Sequence, residues 1–316
     1  MLQAISNNHD AHHERRRKNS LASLTSSLRD NKTHLLLAAS GSVATIKLPL
    51  IIEKLAADFR RLHPDTTNPE DVLSIRVVLT PSASRFLAGQ SREQPPVSSL
   101  LAMDCVDGVY ADADEWKEPW KRGDAILHIE LRRWAHLLVI APLSANTMAK
   151  ITNGMADGLL TSVVRAWDAW GDLDGDVAAV VAGGARHRLV DGSERVRRKK
   201  RVLVAPAMNT AMWRHPVTAR QLAVLEGEWG VYGGGKKRGA VGGDAVTAEE
   251  FGQREDGHGG KQLEEKKEEE EEEGDGWFEV LRPKSKALAC GDVGDGAMME
   301  WTQIVAVIEE RLGFNE

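Results

Sequence analysis

Residues 33–44 read THLLLAASGSVA, in which a continuous apolar run over residues 33–39 ends in a short turn of small and hydroxyl-bearing residues. Residues 44–62 then place apolar side chains at the spacing of an amphipathic helix. A buried strand that passes through a tight turn into a helix is typical of the first half of a β-α-β unit. This stretch therefore predicts that the folded part of the chain opens as an α/β protein.

Three further apolar runs repeat this pattern along the chain. They cover residues 73–80 (LSIRVVLT), 136–141 (HLLVIA) and 201–205 (RVLVA), and each precedes a polar turn and a helical stretch. Nearly continuous runs of aliphatic and β-branched residues between helices indicate a parallel sheet that is buried on both faces. We predict a single α/β domain over residues 32–316, with a flavodoxin-like or Rossmann-like doubly wound parallel sheet in three layers.

The composition narrows the class of protein. The 316 residues carry 41 Lys and Arg against 47 Asp and Glu, a formal net charge of −6, and 42% of them are hydrophobic. This charge balance argues against a nucleic-acid partner. The most apolar stretch, residues 35–52, is interrupted by polar residues and does not predict a membrane span. Only Cys105 and Cys290 are present, so we expect thiols in a reducing compartment and a cytoplasmic protein.

Three segments depart from the α/β pattern. Residues 1–31 are polar, and insertions lie at about 171–200 and 233–274; within the second, residues 264–273 hold eight Glu and two Lys. Such segments bury little apolar surface, so we predict a disordered arm, a surface loop, and a disordered acidic low-complexity tract. The basic run at 14–18 is either a solvated charge cluster, which is the simpler interpretation, or a signal for a nuclear pool.

Small hydroxyl and amide residues follow the first three predicted strands. The carboxyl ends of parallel strands meet at one edge of a sheet, where α/β proteins bind ligands. Gly41 lets the backbone approach an anion and Ser42 offers a hydroxyl, but one glycine does not match the GxGxxG pattern of dinucleotide sites. Taken singly, each turn is better explained as a helix N-cap. Their coincidence at one edge predicts a site for a mononucleotide.

Four motifs then identify a family by resemblance. They are HIELRRW at 128–134, APLSANT at 141–147, PAMNTAMW at 206–213, and ACGD at 289–292 followed by Gly294 and Gly296. In this order and spacing the chain resembles the phosphopantothenoylcysteine decarboxylases, which are homo-oligomeric flavin-containing cysteine decarboxylases, in a fungal form with insertions. The DEWKEPW stretch at 114–120 is similar to the same enzymes.

The resemblance implies an FMN-dependent homotrimer that decarboxylates 4′-phospho-N-pantothenoylcysteine to 4′-phosphopantetheine in coenzyme A biosynthesis. Oxidation of the substrate thiol to a thioaldehyde makes loss of CO₂ feasible, and the resulting enethiol is then reduced again. The alternative is a regulatory, inhibitory subunit of a Ser/Thr protein phosphatase, alone or as a second role, as in some fungal relatives. His128, Asn209 and Cys290 all occur in one chain, which favours the enzyme.

The same resemblance gives these three residues their roles. His128 is the general base and in the family reaches the flavin of the adjoining subunit. Asn209 binds the substrate carboxylate. Cys290 lies in a glycine-rich flap and donates the proton that accompanies the final reduction. The structural alternatives are a hydrogen-bonded histidine, a helix cap and a small buried thiol. We expect Met212 and Cys105 to pack in the core.

Residues from all four turns correspond to the FMN-contacting stretches of the family. They are Gly41, Ser42, Val43, Thr80, Ser82, Ser144, Ala145, Asn146, Thr147 and Ala207. Pro81 departs from many family sequences, so the hydrogen bonds of its turn are expected to differ. Lys47, Arg165 and Lys286 are the candidate cations for the phosphates of FMN and substrate, and the sequence does not rank them. No metal ligand set is predicted.

Overall fold

The computed structural model describes most of the predicted domain. The described residues are 19–63, 72–171, 173, 185–188, 194–197, 199–231, 276–287 and 293–314. Residues 1–18 of the predicted arm, the predicted insertion at 233–274 with its acidic tract, and Cys290 lie outside them.

Ten strands form one large sheet and two hairpins within the described residues. They are β1 (Thr33–Ala39), β2 (Leu73–Leu79), β3 (Val106–Ala111), β4 (Leu137–Leu143), β5 (Ala185–Arg188), β6 (Glu194–Arg197), β7 (Val202–Pro206), β8 (Phe278–Val280), β9 (Lys284–Ala287) and β10 (Val293–Ala297). The large sheet is parallel and has the order β3-β2-β1-β4-β7-β8. This order is the Rossmann-like one, and the winding reverses between β1 and β4.

Helices cover both faces of the sheet. The α-helices of the described residues are α1 (Leu21–Ser26), α2 (Leu48–Leu62), α3 (Pro81–Ser84), α4 (Asp112–Glu115), α5 (Leu127–Trp134), α6 (Ala145–Thr152), α7 (Leu159–Arg165), α8 (Thr210–Trp213), α9 (Pro216–Leu222) and α10 (Trp301–Leu312). None of the described helices is long and apolar enough to span a membrane.

The alternation of side chains along β1 divides the core into two layers. Leu35 and Leu37 lie in a cluster with α2 and α10, whereas Leu36 and Ala38 lie in a second cluster with α1, α5 and α7. Successive strand residues point to opposite faces, so a strand that is apolar throughout is covered on both sides. The three-layer, doubly wound α/β prediction is confirmed. Cys105 is buried in the first cluster, as expected.

The structure corrects the prediction for part of the N-terminal arm and adds detail to one predicted insertion. Residues 19–31 are not disordered, because Leu24 of α1 is fully buried and the Asn19 side chain accepts from the Val109 backbone N–H at 3.0 Å. The predicted surface loop at 171–200 contains the antiparallel hairpin β5–β6.

The helix predicted over residues 44–62 has a different start. It begins as a 3₁₀ turn, Val43–Lys47, and becomes α-helical only at Leu48. Pro49 lies in the first turn of α2, where a missing backbone N–H is tolerated. The proline therefore marks the start of the α-helix.

Ser40 joins the carboxyl ends of β1 and β4. Its hydroxyl donates to the Pro142 carbonyl at 3.0 Å and accepts from the backbone N–H of Ser144 at 2.7 Å. Its own backbone N–H donates to the same Pro142 carbonyl at 3.0 Å. Ser40 is fully buried. One hydroxyl therefore fixes the spacing of the two strands at the point where the winding of the sheet reverses.

We predict that Ser40→Ala lowers the free energy of unfolding by about 1–3 kcal/mol, because it leaves the buried Ser144 N–H without an acceptor. Ser26→Ala is the matched control, since Ser26 is exposed and its hydroxyl bonds within its own helix. Denaturant unfolding measures both variants. Equal unfolding midpoints for Ser40→Ala and the parent chain would contradict the role given to Ser40.

A pair of carboxyl groups joins α2 and α10. Asp58 and Glu309 share a hydrogen bond, and Lys54 also donates to Asp58. Burial, followed by the hydrogen bond and charge of Asp58, raises the pKa of Glu309 to about 7. Burial opposes ionisation of Asp58, but the hydrogen bonds from Lys54 and Glu309 lower its pKa overall. The proton of the pair therefore resides on Glu309.

The stabilisation from Glu309 is lost as the pH rises, whereas that from Asp58 is lost as the pH falls. The contribution of Glu309 is fully present below its ordinary pKa of 4.5 and is lost as the pH rises through about 7. The contribution of Asp58 is present above its ordinary pKa of 3.8 and is lost as the pH falls through its lower folded value. Near neutral pH, Glu309 is therefore the group that titrates.

We predict that Glu309 makes the free energy of unfolding fall as the pH rises from about 4.5 to about 7, and that Glu309→Gln removes this part of the fall. The amide mimics the protonated carboxyl and cannot ionise. Glu310→Gln, at an exposed neighbouring position, should keep the full fall. Denaturant unfolding at the two pH values measures it, and an unchanged pH dependence in Glu309→Gln would refute the assignment.

Candidate functional site

A cavity of about 720 Å³ opens at the carboxyl edge of the sheet. The turns after β1, β2, β4 and β7 line it, together with the residues from Gly296 to Trp301. Its volume is typical of small-molecule sites, and its place is the switch point of the sheet, where doubly wound proteins bind ligands.

Every residue predicted to contact FMN lines this cavity. These residues are Gly41, Ser42, Val43, Thr80, Ser82, Ser144, Ala145, Asn146, Thr147 and Ala207. Asn209 lines the same cavity. The structure thus brings together residues from four turns that are far apart in the chain.

The polar side chains in the turns after the strands also cap the helices that follow. Ser42 accepts from the Ala44 N–H at 3.5 Å. Two further hydroxyls cap in the same way, Thr80 with Ala83 and Ser144 with Thr147, each at 3.3 Å. The same three residues therefore cap helices and line the cavity. Each cap fixes a hydroxyl at the wall of the cavity.

Gly41 is required by the close approach of two turns. A Cβ atom at this position would lie 2.6 Å from the Cβ of Ser82. The turns after β1 and β2 are therefore in contact at the wall of the cavity. Any larger residue at position 41 must push them apart.

The apolar wall of the cavity contains Val43, a predicted FMN contact, and four side chains that were not predicted to line it. Val43 and Met212 are 45% and 46% exposed although both are large and apolar. Phe86, Met208 and Trp301 extend this wall. The prediction that Met212 packs in the core was wrong, because its helix, α8, is a single turn that buries no residue. Exposed apolar side chains that line a concavity are typical of a ligand site.

The charged side chains around the cavity include one of the three predicted cations. Lys47 lines it, Arg165 does not, and the side chain of Lys286 lies outside the described residues. Lys150 was missed; it also lines the cavity and donates to Asp157 at 2.5 Å. The hydrogen bond from Lys150 lowers the pKa of Asp157. Among the described residues, no cluster of His, Cys, Asp and Glu is arranged to hold a metal ion.

Asn209 lines the cavity, as predicted, and also caps a helix, which was the structural alternative. Its Oδ1 accepts from the Met212 backbone N–H at 2.8 Å, at the start of α8. Since the oxygen of the amide is used by the cap, its NH₂ group remains as a donor at the cavity. A fixed N–H donor suits a carboxylate ligand.

His128 lies apart from the residues that line the cavity. It sits in the first turn of α5, and its Nδ1 is 2.8 Å from Oε1 of Glu115 in α4. Glu115 was not singled out from the sequence, although the stretch 114–120 that resembles the family contains it. The signal that could have identified Glu115 is its position in that stretch, shortly before His128 in the chain.

Comparisons with known proteins agree with this geometry. Residues 23–233 match the family model described as Flavoprotein. A phosphopantothenoylcysteine decarboxylase from Mus musculus is 38% identical over 200 residues, which are 62% of this chain and 70% of that protein. A protein from Schizosaccharomyces pombe named probable thymidylate synthase is 34% identical over 286 residues, 90% of this chain. The chain spans only 30% of that relative's length.

A solved structure matches over most of the chain. It is a Cys-to-Ser variant of PPC decarboxylase in complex with pantothenoylaminoethenethiol, 32% identical, with a TM-score of 0.51. The match covers 88% of this chain and 97% of that one. Sequence and fold thus agree, and the chain belongs to the Flavoprotein family and, within it, to the phosphopantothenoylcysteine decarboxylases.

Proposed function

We propose that this chain catalyses the FMN-dependent decarboxylation of 4′-phospho-N-pantothenoylcysteine to 4′-phosphopantetheine, a step of coenzyme A biosynthesis. The observation that carries the proposal is the cavity at the switch point, which all the predicted FMN-contacting residues and Asn209 line. The mouse relative is named for this decarboxylation, and the matched structure holds pantothenoylaminoethenethiol.

The cavity offers the kinds of groups that FMN needs, which are an apolar wall, hydroxyl groups and a cation. The exposed Val43 and Met212 provide an apolar surface for the flat ring system of FMN. The hydroxyls of Ser42 and Ser144, which also cap helices, provide hydrogen bonds for the polar ribityl chain of FMN. Lys47 is a lining cation suited to a phosphate. When bound there, FMN supplies reversible two-electron oxidation of the substrate thiol.

The residues of the chain bind the substrate and move its protons. The NH₂ group of Asn209 donates to the carboxylate, which is held beside the apolar wall until CO₂ departs. His128 accepts a proton at Nε2, since its Nδ1 is occupied by Glu115. The role of Cys290 as the donor of the final proton stays a prediction, because Cys290 lies outside the described residues.

A homotrimer with sites between subunits is part of the proposal. His128 and Glu115 do not line the cavity of their own chain, so His128 would serve the cavity of an adjoining copy. Trp116 and Trp120, in the segment between Glu115 and His128, are 64% and 51% exposed. Large exposed aromatic side chains favour an interface and so support this arrangement.

Two further predictions stay as they were. A cytoplasmic location rests on the two cysteines of the sequence, which are too few for a disulfide framework. Phosphatase regulation rests on the acidic tract at 264–273, which lies outside the described residues.

We predict that His128→Asn and Asn209→Asp each abolish CO₂ release from phosphopantothenoylcysteine while both retain FMN. The carboxylate introduced at position 209 keeps the acceptor that caps α8 but repels the substrate carboxylate. Co-expressed in equal amounts with two different tags, the variants should regain about a quarter of parental activity, because random assembly completes about one interfacial site in four.

Three results would count against parts of this proposal. A parent chain that releases no CO₂ would overturn the proposed activity. Full turnover by either single variant would remove the role of that residue. A co-assembled sample as inactive as its two components would show that the site is not shared between subunits.

A further inference from the structure

The single turn α4 is held at its N-terminal end by two side chains. Oδ1 of Asp112, its first residue, accepts from the Leu159 backbone N–H at 2.9 Å and so joins α4 to the start of α7. Oδ2 of Asp114 accepts from the Ala111 N–H at 2.8 Å. Asp112 also lines the cavity. Glu115, the last residue of α4, is therefore carried on a backbone that is fixed relative to the cavity wall.

Glu115 meets His128 from a buried position. The side chain of Glu115 is 5% exposed and that of His128 is 21% exposed, and the Oε1 and Nδ1 atoms are 2.8 Å apart. The second oxygen, Oε2, is buried and has no hydrogen-bond partner within the described part of the chain. A half-satisfied carboxyl group costs free energy to bury, so stability is a poor explanation for its presence.

The histidine is held as firmly as the carboxyl group. His128 lies on α5, whose Leu127, Leu131 and Trp134 are buried in the core. Two packed elements therefore hold the hydrogen bond between Glu115 and His128. This arrangement keeps a reacting side chain in one orientation.

We propose that Glu115 is the positioning residue for His128. This inference rests on the proposed function, because it specifies how the base of that reaction is prepared. A carboxylate only accepts hydrogen bonds, so Nδ1 of His128 carries the hydrogen and the lone pair of the neutral imidazole lies on Nε2. Glu115 thereby sets which nitrogen receives the substrate proton.

The proton transfer balances without any further reactant. The S–H bond of the substrate breaks, its electron pair stays on sulfur as a thiolate, and the proton forms an N–H bond at Nε2. The resulting imidazolium has its positive charge beside the Glu115 carboxylate, which stays ionised and takes up no proton. Glu115 acts only through His128.

Glu115→Ala in the full chain tests the proposal. We expect kcat for CO₂ release to fall at least about tenfold with KM and FMN content unchanged, because the base is still present but no longer oriented. Glu93→Ala is the matched control, since Glu93 is exposed, does not line the cavity and lies outside the segment of Trp116 and Trp120, so it should leave activity as in the parent. Glu115→Gln should recover part of the lost activity, because its amide oxygen still accepts from Nδ1–H.

A second readout follows the tautomer of His128 directly. Nitrogen-15 NMR of histidine-labelled protein, assigned with His128→Asn, should show the Nδ1–H form in the parent and in Glu115→Gln. Glu115→Ala should shift the population toward Nε2–H. A structural role for Glu115 would lower stability without moving this signal.

Two results would overturn the inference. They are parental kcat in Glu115→Ala, and an unchanged tautomer of His128 in that variant. Failure of the proposed function is distinguishable, because it would appear as absence of CO₂ release by the parent chain while the tautomer measurement still reports on Glu115.

Discussion

Ser40 holds the carboxyl ends of β1 and β4 side by side, because it pairs with backbone groups of Pro142 and Ser144 at the end of β4. Its hydroxyl bridges the Pro142 carbonyl and the Ser144 N–H, and it is fully buried. Buried backbone groups must be paired, so this bridge holds the two strands at the reversal of winding. The turns that line the cavity begin at these strand ends, and their positions depend on that spacing.

The residues that line the cavity serve the fold at the same time. Ser42, Thr80, Ser144 and Asn209 each satisfy a backbone N–H at the start of a helix and each present a polar group to the cavity. A cap allows a side chain only one orientation, so the site is prepared by the same bonds that begin the helices.

The sequence predicted best what depends on local pattern. The bounds of β1 were correct, and the polar turns that follow strands lie together because parallel strands end at one edge. β3 was missed because Asp107 and Gly108 interrupt its apolar run. Met212 was misplaced because α8 is a single turn that buries no residue, and apolar character alone does not distinguish a core side chain from one that lines a cavity. The contact between Glu115 and His128 depends on the path of the chain between two helices, which no local spacing reveals.

An FMN titration of three chains tests the central claim, that the cavity at the switch point is the cofactor site. Gly41→Ala adds a Cβ that would lie 2.6 Å from the Cβ of Ser82, whereas Gly227→Ala adds one that meets no atom within 4 Å. We predict equal affinity for the parent and Gly227→Ala, and affinity at least about tenfold weaker for Gly41→Ala. Equal affinity in all three chains, or no FMN binding by the parent, would contradict the account.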